Sequence, residues 1–169
     1  MKESDSRSNV FYLFKDASVF IRLVDRFTAL HGVNFKTFVE SILLNNSRIR
    51  AVCLDLSETQ YLDSTFMGTL VHVKNMCSGF KKTFKVINPS EKVFENLKSL
   101  GLEKILKIEN REETFKKSEM RGFFCYNEQK HKIFKSVLES HILLSSINKE
   151  NKKEFCKLIK RLKKEGHKP

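Results

Sequence analysis

The sequence predicts an α/β fold in which helices pack on a mixed, mostly parallel sheet and a helical extension follows at the C-terminal end. Three observations support this prediction. Short apolar runs bounded by turn residues alternate with segments whose apolar residues recur at helical spacing. The 169 residues, 40% of them hydrophobic, suit one domain with an appendage. Basic side chains concentrate late in the chain, so we expect a domain over residues 8–110 and a basic extension over residues 111–169.

The chain opens with a predicted hairpin followed by a helix. Residues 10–14 and 18–23 have strand composition, with a turn at residues 15–17. A link through His31 and Gly32 leads to a helix from Asn34, because apolar residues then follow at the spacing of one helical face. These residues are Phe35, Phe38, Val39, Ile42 and Leu43.

The centre of the sequence is a buried strand, a polar loop and a helix that starts with hydroxyl side chains. Residues 49–56 form an apolar run, residues 57–60 are polar, and helical periodicity follows from Ser64. Asp63 or Ser64 is the predicted N-cap. Hydroxyls placed here lie where unpaired backbone N–H groups and the helix dipole favour an added anion. The sequence therefore predicts a site suited to carry a phosphate.

A further strand, turn and helix come next. Residues 83–87 are a predicted strand, residues 88–90 a turn that opens a helix, and Gly101 the end of that helix. Residues 105–108 are short enough for an edge strand. Strands that alternate with helices indicate a mostly parallel sheet, and ligands or partners are expected where its strands end and its helices begin.

Two groups of residues give this order of elements a resemblance to a known family. The first joins residues 54–57 (LDLS) to residues 61–65 (YLDST). The second joins residues 86–93 (VINPSEKV) to residues 100–102 (LGL). The whole pattern, from the first strand to the last, resembles a STAS domain, the fold of bacterial anti-sigma factor antagonists.

This resemblance implies a switch protein rather than an enzyme. In that family the serine after the aspartate is phosphorylated by a partner kinase that is also an anti-sigma factor. The unphosphorylated antagonist binds this kinase, which frees the sigma factor for transcription, and a phosphatase resets the cycle. Ser64 matches the phosphorylated position, and Thr65 is the second choice. A phosphate adds about −1.5 to −2 charge, which opposes packing against the partner.

One position departs from the family pattern Asp-Ser-Ser/Thr-Gly-Leu-Gly. Phe66 stands where glycine is usual, so three alternatives arise: hindered phosphorylation in a scaffold that is never modified, an added aromatic contact for a partner, or a ring that points into the core. The predicted partner-binding surface is the start of this helix with the preceding loop. It comprises Ser57, Glu58, Gln60, Asp63, Ser64, Thr65, Phe66 and Met67.

Beyond residue 108 the sequence changes character. Residues 109–119 are strongly charged, and residues 120–126 are rich in aromatics, which suits a further strand or a patch over the sheet edge. Two amphipathic segments then predict a helical hairpin with Asn148 as a cap. Its apolar face is expected to pack on the domain, on a second copy of the chain or on a partner. The apolar residues are Phe134, Val137, Leu138, His141 and Leu144 or Ser145, then Phe155, Leu158, Ile159 and Leu162.

The other face of the hairpin is basic. Residues 111–169 carry 16 basic and 8 acidic side chains, against 16 and 12 in residues 1–110. We interpret this face as solvated, and contact with nucleic acid or an anionic membrane is the alternative, since lysine-rich helices attract phosphates without reading sequence. No base-reading motif accompanies it. The basic residues are Lys152, Lys153, Lys157, Lys160, Arg161, Lys163 and Lys164.

No catalytic residue, metal site or cofactor is predicted. The five histidines form no ligand-spaced pair, and no Gly-rich phosphate loop is present. His72 lies about two helical turns from Ser64, too far to act as its base, and we interpret His141 as a packed histidine. The four cysteines are predicted to be reduced core thiols. A polar opening and the lack of a long apolar run lead us to expect a cytoplasmic protein.

Overall fold

Strands and helices alternate as predicted in the computed structural model, which describes residues 9–166. The polar opening before residue 9 and His167 lie outside the described residues. The strands are β1 (Val10–Lys15), β2 (Ser18–Leu23), β3 (Asp25–Phe27), β4 (Ala51–Asp55), β5 (Thr59–Leu62), β6 (Thr83–Ile87), β7 (Lys107–Glu109) and β8 (Arg121–Phe123). The helices are α1 (Ala29–Asn45), α2 (Ser64–Gly79), α3 (Glu91–Ser99), α4 (Lys130–Ser145) and α5 (Lys149–Glu165).

Six of these strands form one mixed sheet in the order β7-β6-β4-β2-β1-β8. The predicted hairpin is confirmed: β1 and β2 pair antiparallel around a two-residue turn, in which Asp16 and Ala17 have φ angles of 48° and 57°. Strands β2, β4, β6 and β7 run parallel to one another. Strand β8 pairs antiparallel with β1, so the aromatic segment contributes an edge strand. The mixed, mostly parallel sheet of the prediction is therefore confirmed.

A second sheet of two strands joins β3 to β5, where the sequence predicts a loop. That prediction is wrong in its second half, because Thr59–Leu62 is a strand parallel to β3. Two contacts stabilise the pair. The Gln60 amide in β5 donates to the Asp25 carboxylate in β3 at 3.0 Å. The Arg26 guanidinium lies 4.3 Å from the centre of the Tyr61 ring.

Helix α1 starts earlier than predicted. The predicted link at His31 and Gly32 is wrong, because both residues lie within the helix. Thr28 caps α1: its hydroxyl accepts from the Leu30 N–H, and its own N–H donates to His31 Nδ1 at 2.9 Å. In a usual capping box a Glu or Gln stands where His31 stands here, so the usual sequence signal for a helix start is absent at Thr28.

Helices α1 and α2 cover one face of the six-stranded sheet. Alternate residues of each strand point to this side, as Val19, Ile21 and Leu23 of β2 do. They join the buried apolar side chains of the helices in one core. The main core therefore lies between the sheet and the helix pair that carries the predicted phosphate site.

The opposite face of the sheet carries a smaller apolar cluster of Phe20, Cys53 and Ile87. The chain between β7 and β8 passes from one edge of the sheet to the other and covers this cluster. The Phe115 ring in this segment lies 4.8 Å from the Phe20 ring. The charged stretch after residue 108 thus acts as a covering segment.

Helices α4 and α5 form the predicted hairpin and add a third layer over α1 and α2. Asn148 caps α5 as predicted, since its side chain accepts from the Asn151 N–H at 2.7 Å. The apolar face packs on the domain, with Leu144 and Phe155 in the main core. The lysines of α5 are exposed, as predicted. Strand β8 and helix α4 therefore share the sheet and the core of the earlier residues.

The inner face of α4 differs from the predicted stripe. Its buried residues are Ser136, Ser140, His141 and Leu144. The larger residues of the prediction, Phe134, Val137 and Leu138, are only partly buried. The reason lies in α2, which presents Gly68 where the two helices cross. Only small side chains on α4 permit so close an approach.

Candidate functional site

The candidate site lies where β5 ends and α2 begins. Asp63 is the N-cap of α2, as predicted: its Oδ1 accepts a hydrogen bond from the Phe66 N–H at 2.7 Å. Its Oδ2 accepts from the N–H of Ala29, the first residue of α1, at 2.9 Å. One carboxylate is therefore shared by the first turns of two helices, whose dipoles both favour negative charge.

Ser64, the predicted phosphate acceptor, is the first residue of α2 and is partly buried. Its Oγ lies 3.0 Å from Nε2 of His141 in α4. His141 Nδ1 lies 2.7 Å from the Val137 carbonyl, which can only accept, so Nδ1 carries a proton. In the neutral ring, Nε2 then accepts the hydrogen bond from the Ser64 hydroxyl. The interpretation of His141 as a packed histidine is confirmed, and its partner is the site serine.

The three residues after the serine are buried. Thr65, Phe66 and Met67 expose 5%, 0% and 6% of their surface. The Phe66 ring lies 5.0 Å from the ring of Phe27 and 5.4 Å from that of Phe35. The alternative that Phe66 points into the core is therefore confirmed. The predicted contact surface is corrected accordingly, because packing between α2 and α1 turns these side chains inward.

The loop before β5 and the start of that strand supply the exposed part of the predicted surface. Ser57 and Gln60 are exposed, and Glu58 is partly exposed. Asp55 holds this loop to the sheet: its Oδ1 accepts from the Ser57 N–H at 2.9 Å, and its Oδ2 accepts from Arg22 Nε at 2.8 Å. The backbone of this loop is therefore fixed. Glu58 is held by Arg22 and Lys117, and Gln60 donates to Asp25, whereas Ser57 is exposed.

The ion pair of Arg22 and Asp55 is a component that the sequence analysis missed. Only 6% and 7% of the two side chains are exposed. Arg22 also lies 3.3 Å from a Glu58 oxygen and donates to the Phe115 carbonyl at 2.9 Å. An arginine inside an apolar strand is the available signal, since a buried charge needs a partner. Arg22 joins the loop, the sheet and the covering segment.

Helix α4 lies directly on α2 beside the site. A Cβ atom at Gly68 would lie 2.5 Å from Ser140 Cβ and 2.7 Å from its Cα and carbonyl oxygen. At Gly32 of α1, a Cβ atom would lie 2.6 Å from Thr69 Oγ1 and 3.6 Å from Ser136 Oγ. The C-terminal extension thus reaches the site, which the sequence does not predict.

Two histidines of these helices, His31 in α1 and His72 in α2, are partly buried. Burial lowers the pKa of His31 below its ordinary value, although the Thr28 hydrogen bond and the Asp63 carboxylate oppose this. Burial lowers the pKa of His72 as well, and the positive charge of Lys36 adds to the effect. Both rings therefore favour the neutral form.

Other kinds of site were sought among the described residues. Within residues 9–166, no group of three His, Cys, Asp or Glu side chains is arranged to hold a metal ion. None of the helices in that part of the chain is both long enough and apolar enough to cross a membrane.

Comparison with known proteins identifies relatives of this fold. The family model described as "Mlab, STAS domain" matches residues 10–108. The match ends before β8 and before the hairpin of α4 and α5. No curated protein matches the sequence.

Two solved structures illustrate the likeness. The anti-sigma factor antagonist SpoIIAA in its unphosphorylated form has a TM-score of 0.52 and 14% identity, over 62% of this chain and 89% of that chain. A candidate anti-sigma factor antagonist from Thermotoga maritima has a TM-score of 0.53 and 26% identity, over 59% of this chain and 84% of that chain. These likenesses agree with the predicted fold.

Proposed function

Because the chain belongs to the STAS domain family, we propose that it is a cytoplasmic anti-sigma factor antagonist, a protein-binding switch set by phosphorylation of Ser64. The observation that carries this proposal is the position of the Ser64 hydroxyl on the first residue of α2, directly after the Asp63 cap. The similar structure of SpoIIAA, which is described as an anti-sigma factor antagonist, supports a protein partner. The chain acts by binding, and its partners supply the chemistry.

The switch follows from the charge at the start of α2. Unphosphorylated, this surface and the exposed residues Ser57 and Gln60 bind a kinase that is also an anti-sigma factor, which frees the sigma factor. The kinase then transfers the γ-phosphoryl group of ATP to Ser64 Oγ. The phosphate adds about −1.5 to −2 charge beside the Asp63 carboxylate. Burying that charge against the partner is costly, so the complex separates until a phosphatase removes the phosphate.

Phosphosite mass spectrometry on protein recovered from its native cells, with and without stress, tests this proposal. We expect phosphate on Ser64 in a fraction that changes with the condition. Binding of variants to the partner kinase is the second measurement. Ser64→Ala should keep binding and lose phosphorylation, whereas Ser64→Asp should weaken binding, because it adds a permanent negative charge.

Ser78→Ala serves as the matched control, since Ser78 is an exposed serine at the opposite end of α2. It should leave Ser64 phosphorylation unchanged. Equal affinity of Ser64→Ala and Ser64→Asp for the kinase would contradict the switch. So would phosphate on Ser57 with none on Ser64.

One observation favours a second candidate function, a scaffold that is never phosphorylated. The Ser64 hydroxyl is hydrogen-bonded to His141 rather than free. In a scaffold this contact would be permanent and the loop surface would hold partners constitutively. An unchanged intact mass after incubation with the kinase and ATP, together with partner binding that does not respond to ATP, would support this alternative.

A further inference from the structure

We propose that the hairpin of α4 and α5, residues 130–165, is a reversible intramolecular cover over the Ser64 surface. Partner binding and phosphorylation at Ser64 then both require this cover to leave α2. The inference rests on the function proposed for Ser64 and names the regulation of that site. Four features of the hairpin carry it: the contact with the serine, the crossing on α2, the polar character of the buried face and the connection to β8.

The first feature is the direct contact with the acceptor hydroxyl. His141 Nε2 lies 3.0 Å from Ser64 Oγ, at hydrogen-bond distance. The His141 ring is itself 4% exposed and packs edge-on against Phe155, with the ring centres 5.0 Å apart. An incoming phosphoryl group must approach Oγ in line with its leaving group, which needs free space beside the hydroxyl. Here an imidazole held in place by α5 fills that space.

The second feature is the crossing of α4 on α2. Ser140 contacts Gly68 so closely that the backbone atoms of the two helices touch, with no room for a methyl group between them. Ser136 lies near Gly32 on the neighbouring α1. Helix α4 therefore lies in the groove between α1 and α2 and covers the outer side of the α2 start. A partner that docks on this side of α2 competes with α4 for the same surface.

The third feature is that the buried face of α4 is mostly polar. Ser136, Ser140 and His141 are buried, and Leu144 is the one fully buried aliphatic residue of this helix. When the hairpin leaves, the polar groups of α4 can bond to water instead, so the cost in free energy comes mainly from exposing Leu144 and, on α5, Phe155. Local opening of such a segment costs less free energy than global unfolding.

Hydrogen bonds of the Asn151 side chain, here called the latch, hold the turn between α4 and α5 against the domain. The side chain of Asn151, 1% exposed, donates to the Leu100 carbonyl at 2.9 Å and to the Leu144 carbonyl at 3.0 Å. This joins the first turn of α5 to the end of α3 and to α4 at once. A Cβ atom at Gly101 would lie 2.8 Å from Asn148 Nδ2, so the tip fits tightly on the domain.

The fourth feature is the connection between β8 and α4. Residues 124–129 form no helix or strand. Asn127 anchors this segment to α1: its N–H donates to the Leu30 carbonyl at 2.8 Å, and its Nδ2 donates to Asn34 Oδ1 at 2.8 Å. The hairpin can therefore swing from Asn127 while β8 stays in the sheet.

Thiol labelling in the full chain tests the cover without a partner. The background carries Cys156→Ser, because Cys156 is the one partly exposed cysteine among the four. Ser64→Cys reports on the covered site, and Ser57→Cys reports on the exposed loop. We expect an aromatic disulfide reagent to label the thiol of Ser64→Cys at least about tenfold more slowly than that of Ser57→Cys. Equal rates would overturn the cover.

Two release variants make the test specific. Ser140→Leu places a large side chain against Gly68 and should expel α4, bringing the two labelling rates to within about threefold. Ser145→Leu makes the same change away from the α2 face and should leave protection intact. If Ser140→Leu fails to fold, Asn151→Asp replaces it, because it removes the latch donors. Protection that persists in a folded release variant would overturn the proposal.

Phosphorylation in native cells separates this inference from the proposed function. If both hold, the phosphorylated fraction of Ser64 rises in Ser140→Leu and stays at the wild-type level in Ser145→Leu. Slow labelling of Ser64→Cys with no phosphate in any variant would support the cover and refute the phosphorylation switch. Phosphate on Ser64 at the same level in wild type and Ser140→Leu, with an unprotected thiol, would refute the cover alone.

Discussion

Replacement of Gly68 by alanine tests the packing of α4 on α2 most directly. In an ordinary helix interior this change is stabilising by about 1 kcal/mol, because alanine has the higher helix propensity. At Gly68 the new methyl group would lie 2.5 Å from Ser140 Cβ and 2.7 Å from two further Ser140 atoms. Two of the three contacts involve backbone atoms of α4, so rotation of a side chain cannot relieve them.

The magnitude follows from comparison with a second glycine in the same helix. At Gly79 a Cβ atom would meet no atom within 4 Å, so Gly79→Ala gains helix propensity without strain. Overpacking a close contact costs about 1 to 3 kcal/mol. We therefore expect the free energy of unfolding of Gly68→Ala to lie about 1 to 3 kcal/mol below that of Gly79→Ala. Gly32→Ala should fall between them, because the Thr69 side chain that it meets can rotate.

Urea denaturation followed by circular dichroism gives the free energy of unfolding of each of the three variants, when all curves are analysed with the same dependence on urea concentration. Far-ultraviolet spectra before denaturation show whether each variant retains its helices. Gly68→Ala and Gly79→Ala of equal stability would refute the close crossing of α4 on α2. A Gly79→Ala variant that loses stability would refute the description of that position as open.

The remaining predictions concern cysteine and histidine. With a thiol reagent, Cys156 alone should react rapidly in the native protein, because Cys53, Cys77 and Cys125 are buried. All four thiols should react in urea. Burial also raises the pKa of Cys77 and Cys125 to about 12, which leaves their less reactive thiol form dominant. Cys156→Ser should abolish the fast phase, and a persistent fast phase would contradict this burial. Burial holds the pKa of His31 in the folded protein below its ordinary value of 6.5. As the pH falls, the unfolded chain therefore takes up a proton at this residue before the folded protein does, and the free energy of unfolding should fall below about pH 6.5. In urea titrations at several pH values, His31→Gln should weaken that dependence, and an unchanged slope would refute this assignment.

Local signals explain what the sequence predicts well. The hairpin turn, the Asp63 cap of α2 and the Asn148 cap of α5 each depend on residues within a few positions of one another. Such patterns act before any tertiary contact forms and survive in the fold. The position of the candidate site at the start of α2 follows from the same local rules.

Contacts between distant residues explain what it does not predict. Strands β3 and β5 are three and four residues long, and their register is set by partners far along the chain. Which residues form the inner face of α4 depends on Gly68 of α2, and so on the neighbouring helix rather than on the sequence of α4 itself. The proximity of Ser64 and His141, 77 positions apart, has the same origin. In the sequence, this packing corresponds to two small residues one helical turn apart on α4, Ser136 and Ser140.

The two edges of the six-stranded sheet bear on how the protein behaves when concentrated. Strands β7 and β8, which form these edges, are each three residues long. A short edge offers few unpaired N–H and C=O groups to a strand of another molecule. The formal net charge of +12 also makes approaching copies repel one another. Growth into β-linked aggregates is therefore disfavoured at both edges of the sheet, and we expect its positive charge to keep the protein dispersed best at low salt.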